Sequence, residues 1–307
     1  MSAERTRLDG GRWHFQHGPI DLVLAADGCD AAVELAWMRF RTILDELVAE
    51  LPALRRPVNA GPPVAGEVAR RMAAACLAHA ERFITPMAAV AGAVADEVVH
   101  AMRPAGPRRA YANNGGDIAL HLEPGQRWRI GLVADVSRHG HEVALDGAFE
   151  VDAALPVRGV ATSGWRGRSL SLGIADSVTV LAGTAADADA AATMIANEVH
   201  ADHPAIVRAR ACDVADDTCL GERLVTRGVG TLPRELVDAA LERGAAHAAA
   251  LHARGIIWAA ALVLQSRARV VGGLAPACAA GRLPGYSLYC RDTLPQYDGT
   301  HTGRAGP

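Results

Sequence analysis

The sequence predicts an α+β protein. Residues 30–52 carry apolar positions at helical spacing, and 87–102 form an almost wholly apolar helical run. Residues 108–182 hold a run of short apolar segments separated by turn residues. The regular strand–helix alternation of a parallel doubly wound sheet is absent.

Taken in order, residues 12–17 and 19–25 read as two strands around a Gly-Pro turn. A helix over 30–52 follows from Val33, Leu35, Met38, Ile43, Leu44, Leu47, Val48 and Leu51. Pro57, Pro62 and Pro63 break it, and a second helix is expected over 65–83. The third, 87–102, is almost wholly apolar and should be buried on most sides. Strands are expected at 108–113, 117–122, 127–134, 141–146, 158–163, 168–173 and 177–183. A helix returns over 187–199, with Thr184 or Asp187 as N-cap. A strand at 205–211, a helix from Pro233 to about His252 and a buried strand at 256–264 complete the order. Residues 1–290 are read as one domain and 291–307, polar and glycine-rich, as a disordered tail.

Half of the 307 residues are apolar and only 4% aromatic, so the core should be aliphatic with closely packed helices. A net charge of -3 with no basic stripe argues against nucleic-acid binding. No apolar run of about 18 residues exists to span a membrane. The charged N-terminus lacks an apolar signal core, so a cytoplasmic location is expected. Six dispersed cysteines without a Cys-x-x-Cys spacing read as reduced, mostly buried thiols rather than a zinc site.

Three segments carry candidate chemistry. In Asn113-Asn114-Gly115-Gly116-Asp117, paired glycines let backbone N–H groups approach a phosphate; a plain hairpin turn has the same signature, and the two readings are compatible. Thr162-Ser163-Gly164 offers hydroxyls at a strand end, as many turns do. Asp189 and Thr193 lie four apart on one helix face. A carboxylate with a hydroxyl suits magnesium beside phosphate oxygens, although an acid in a first helical turn is favoured by the dipole alone. The alanines around them leave room for something to pack. His139 and His141, and His200, Asp202 and His203, lack complete metal-ligand sets and read as loop residues. No P-loop, Gly-x-Ser-x-Gly or Gly-x-Gly-x-x-Gly is present.

In this order and spacing the segments resemble the ApbE-like superfamily, whose best-known members are FAD:protein FMN transferases. The resemblance runs from about residue 12 to 265. It rests on Asn113 to Asp117 (family pattern Asn-Ala-Gly-Gly-Asp, one change), Thr162-Ser163-Gly164, and Ala188-Asp189-Ala190-Ala191-Ala192-Thr193, a complete match to Ala-Asp-Ala-x-Ala-Thr. It implies mostly antiparallel sheets flanked by helices. It also implies a flavin nucleotide, FAD or FMN, with magnesium held by Asp189 and Thr193. Asn114, Gly115, Gly116, Asp117, Thr162, Ser163, Gly164, Gly92 and Asp96 become cofactor-binding candidates. A small-molecule nucleotide ligand and an acceptor protein carrying a hydroxyl are the implied partners. The apolar 87–102 helix could meet a second copy of the chain, or simply a monomer core.

Two departures matter. The family's Lys-Gly pair is Ala91-Gly92 here, and its His-x-Ile-Asp-Pro-x-Thr-Gly loop is replaced by residues 169–176. The shortened form looks like a poorly characterised subfamily of bacteria and archaea, with signatures at 86–92, 173–176 and 220–226. Two functions therefore stand side by side: a magnesium-dependent FMN-transferase-type enzyme, and a non-catalytic flavin-binding or accessory protein in sulfur or cofactor metabolism.

Overall fold

The computed structural model describes residues 2–134, 147–273 and 286–290. The strand expected at 141–146, His139, His141 and the tail 291–307 lie outside them.

The chain opens with β1 (Glu4–Arg7), β2 (Trp13–His17) and β3 (Ile20–Ala25), then α1 (Asp30–Leu54), α2 (Glu67–Leu77) and α3 (Val90–Met102). Next come β4 (Arg109–Asn114), β5 (Asp117–Leu122), β6 (Arg127–Ala134), β7 (Gly147–Asp152), β8 (Gly159–Ser163) and β9 (Ser177–Ala182). The remainder is α4 (Ala185–Glu198), β10 (Ile206–Arg210), the single-turn α5 (Ala211–Val214), β11 (Leu224–Val229), α6 (Arg234–Ala253), β12 (Ala259–Leu264), β13 (Arg267–Gly272) and β14 (Tyr286–Cys290).

A nine-stranded sheet, β1-β2-β3-β4-β5-β8-β9-β12-β13, organises the described residues. Its neighbouring strands pair antiparallel throughout. The fold is therefore α+β, as the sequence predicts. Side-chain alternation separates two layers. Along β4, Ala110 and Ala112 pack with the helices α1 and α3, while Tyr111 joins the opposite cluster with Trp128, Ile130 and Val151. That opposite face is covered by the small sheet β14-β6-β7. On the helical side the inner face of α1 runs through Val33, Ala36, Phe40, Ile43 and Leu47. Met38 and Val48, expected inward, are exposed at 57% each, because small Ala36 and large Phe40 define the buried stripe instead.

Helix α3 is buried along most of its length by α1, β4, β5 and α4, so the chain's own core accounts for its apolarity. Helix α4 lies between the sheet, α3 and α6 and buries Ala188, Ala190, Ala191, Ala192 and Ala196. Short side chains permit this close stacking.

Several boundaries differ from expectation. Helix α2 ends at Leu77 rather than near 83. Residues 168–173 form no strand; their backbone serves other segments, with Arg208 donating to Leu172 O at 2.6 Å and Thr226 N–H to Ser171 O at 2.9 Å. Of the cysteines whose side chains are described, only Cys76 is fully buried, and Cys212 is exposed.

Candidate functional site

The β4–β5 hairpin turns through Gly115 and Gly116, with Asn114 opposite Asp117 in register. Both glycines have positive φ, 66° and 117°, a backbone that side-chain-bearing residues resist. Gly116 N–H donates to Asn113 Oδ1 at 2.8 Å, which leaves that amide committed within the turn. Asn114 Nδ2 reaches across to Ala91 O at 3.1 Å and ties the hairpin to the start of α3.

Helices α3 and α4 hold each other by their N-termini. A helix start exposes N–H groups without intrahelical partners and carries partial positive charge. Asp96 of α3 accepts from Ala185 N–H and Ala186 N–H at 3.0 and 2.9 Å. In return, Asp189 of α4 accepts from Gly92 N–H at 3.0 Å and from Ala91 N–H. This reciprocal capping demands close approach. A Cβ on Gly92 would overlap the carbonyl of Ala185. Thr184 also caps α4 in the ordinary way, accepting from Asp187 N–H at 3.0 Å.

These constraints converge on a cavity of about 360 Å³, within the range of small-molecule sites. Asp117, Ser163, Asp189 and Thr193 line its polar end, and Asn197 extends the row one helical turn beyond Thr193. Phe83, Ile84, Met87, Leu172 and Leu220 supply apolar lining. Asp117 Oδ1 accepts from Thr162 N–H at 3.2 Å, which fixes β5 against β8 at the cavity wall. Burial pushes the Asp117 carboxyl up to about 7. Burial, then the neighbouring Asp117 charge, holds Asp189 well above the usual carboxylate range. The two acids thus face one another across a poorly solvated floor.

The structure therefore brings Asp117, Ser163, Asp189 and Thr193 together on one wall. Asn114 and Gly92 stand behind that wall and position it. Thr162 Oγ1 bonds to Thr179 Oγ1 at 2.9 Å, away from the lining, and Gly164 abuts the backbone of Asp176. Asp96 is spent on the helix cap. Sequence reasoning missed Ser169 and Ser171, whose alternating segment reads as a strand but forms none, and Cys219, whose segment has no periodic signal; Asn197, four residues after Thr193, could have been found by helical spacing. Cys219 Sγ lies 3.3 Å from Thr85 Oγ1 at the cavity edge.

Among the described residues no cluster of three or more His, Cys, Asp or Glu gathers as a metal centre. The donor set does fit magnesium, which keeps several waters and needs only one or two carboxylates plus ligand oxygens.

The fold and the site define an α+β protein with an acid-floored cavity where a glycine hairpin meets two mutually capped helices. A family model described as "AbpE bacteria" matches residues 5–271, and the chain belongs to that family, a divergent branch of the ApbE-like superfamily. A UPF0280 protein of Methanopyrus kandleri is 39% identical over 183 residues, covering 58% of this chain and 68% of the relative. One from Methanosphaerula palustris is 37% identical over 194 residues, 61% and 77% of the two chains. The apo flavinyl transferase ApbE of Pseudomonas stutzeri aligns at TM-score 0.44 and 16% identity, covering 88% of this chain and 93% of that one. Among the described residues no helix is long and apolar enough to cross a membrane.

Proposed function

We propose that the cavity binds a flavin nucleotide, FAD or FMN, or a related nucleotide pyrophosphate, together with magnesium. The observation that carries this reading is the neighbouring pair Asp117 and Asp189, with Thr193 in the same lining, in a pocket that also has apolar walls. Asp117, Asp189 and Thr193 would hold the metal. Bound there, magnesium supplies charge neutralisation at phosphate oxygens, which is most of what phosphoryl transfer needs from its site. The Ala91 and Gly92 amides fix the Asp189 carboxylate, and the apolar lining excludes water from part of the ligand.

Family membership supports an FMN-transferase-type reaction with an acceptor protein. Alanine at position 91 and the changed 169–176 loop favour the second reading, a flavin-binding or accessory protein that keeps the pocket without the transfer. Incubating the purified chain with FAD and magnesium separates them. AMP release abolished in Asp189→Ala establishes the enzyme. Bound flavin without AMP establishes the binding protein. Failure to bind either flavin or any nucleotide pyrophosphate, with or without magnesium, removes both.

A further inference from the structure

The polar end of the cavity has a charge problem. Two carboxylates are enough to neutralise one divalent cation, so a pyrophosphate entering beside them brings negative charge that the wall leaves unmatched. The cation on the lining, Arg55, sits at the far rim and is paired with Asp217 at 2.9 Å.

One exposed guanidinium stands outside the lining itself but beside its Asp117. Arg168 lies against Gly115, so close that a Cβ there would overlap its Nη2. The three residues before it are held in place. Trp165 N–H donates to Ala175 O at 3.0 Å and Gly167 N–H to Gly164 O at 3.1 Å. Trp165 Nε1 and Arg166 Nε both reach Asp176 Oδ1, at 3.1 and 2.9 Å. Arg166 is thereby committed to an ion pair, whereas Arg168 has neither an ion pair nor a hydrogen bond among the described residues. It is near enough to Asp117 to act on its charge, yet forms no salt bridge with it. Ser169, the next residue, lines the cavity.

We propose that Arg168 is the anion anchor of this cavity, its fork of N–H donors binding the phosphate oxygens that the metal leaves uncompensated. A guanidinium suits the task because it presents paired donors in fixed geometry. The bare glycine bend is then explained twice: it makes the turn, and it clears the surface on which the arginine lies. This inference rests on the metal–phosphate reading of the cavity.

The test uses two probes, Mn²⁺ alone followed by electron paramagnetic resonance, and inorganic pyrophosphate with saturating Mg²⁺ followed by calorimetry. Arg168→Gln is expected to weaken pyrophosphate about tenfold to a hundredfold while binding Mn²⁺ at least as tightly as the unaltered chain, since a nearby positive charge has gone. Arg168→Lys should recover part of the loss, because it restores charge without the fork. Gly115→Ala, which evicts the guanidinium, should lose pyrophosphate affinity in the same sense. If the unaltered chain binds both probes and Arg168→Gln binds pyrophosphate equally well, the anchor is wrong and the cavity reading stands. If the unaltered chain binds neither probe, both fall together.

Discussion

Asp117 and Asp189 show what proximity does to two ordinary residue types. In water each would ionise near the usual carboxylate value, but burial raises both, and the neighbouring Asp117 charge raises Asp189 further. A carboxylate whose folded pKa is raised stabilises the fold while protonated. That contribution is complete below the unfolded value near ~3.9 and is lost as pH rises through the folded one, here about 7 for Asp117. In metal-free buffer at pH 8, Asp189→Asn should therefore be more stable than the unaltered chain by about 1–2 kcal/mol, with no gain at pH 4. Magnesium should raise the melting temperature of the unaltered chain more at pH 8 than at pH 5, and leave the variant unmoved. Thermal melts at the two pH values check this; an equal magnesium shift in Asp189→Asn would place the metal elsewhere.

At the scale of elements, the crossing of α3 and α4 makes the site possible. Gly92 would ordinarily be a weak helix residue, and alanine in an exposed helix gains roughly 1 kcal/mol over glycine. Here the sign should reverse. A Cβ at 92 meets the Ala185 carbonyl, so Gly92→Ala should cost about 1–3 kcal/mol through overpacking and loosen the amides that hold Asp189. Urea unfolding gives the first effect and Mn²⁺ affinity the second. A neutral or stabilising result would mean that the two helices can separate freely. Asp96 belongs to the same joint. Asp96→Ala strands two helix N–H groups, with an expected loss of about 1–3 kcal/mol, and Asp96→Asn should recover much of it by keeping an acceptor.

Across the whole molecule, the end of α2 is bound to the far half of the chain. Arg254 Nη2 donates to Ala78 O at 3.1 Å, and Arg82 pairs with Glu198. Between these contacts His79 and His247 bury Nε2 atoms that have no hydrogen-bond partner among the described residues. Burial, then His247 and Arg254, lowers His79 to about 4; burial also lowers His247. A histidine with a depressed folded pKa leaves stability intact above its unfolded value, roughly 6.5, and removes it as pH falls toward the folded one. The urea midpoint should thus drop between pH 6.5 and 4, and His79→Leu should flatten that slope. The aspartate pair acts in the opposite sense over part of this window, so the comparison is made in an Asp189→Asn background. An unchanged slope in the double variant would dismiss the histidine pair as the cause.

Much of this molecule was legible in the chain itself. Helical spacing located α1, because one-sided burial writes a period of about 3.6 into the residues, while an apolar run marked α3, an N-cap α4 and Pro233 the start of α6. The hairpin at Gly115–Gly116 and the capping threonine at 184 were local signals of turn and helix start. Local signals failed where structure depended on distant partners. Strand β1 is wholly polar and exists because β2 offers it an edge. Residues 168–173 alternate like a strand, yet their backbone is claimed by Arg208 and Thr226. The grouping of Asp117, Ser163, Asp189 and Thr193 was expected only through family resemblance, and the meeting of Asp189 with the amides of α3, the diversion of Asp96 to a cap and the placement of Arg168 over the glycines were not expected at all. Periodicity and turn chemistry act within a few residues along the chain. Cavities, facing charges and helix crossings join residues 70 to 100 positions apart, and only the packed fold decides those.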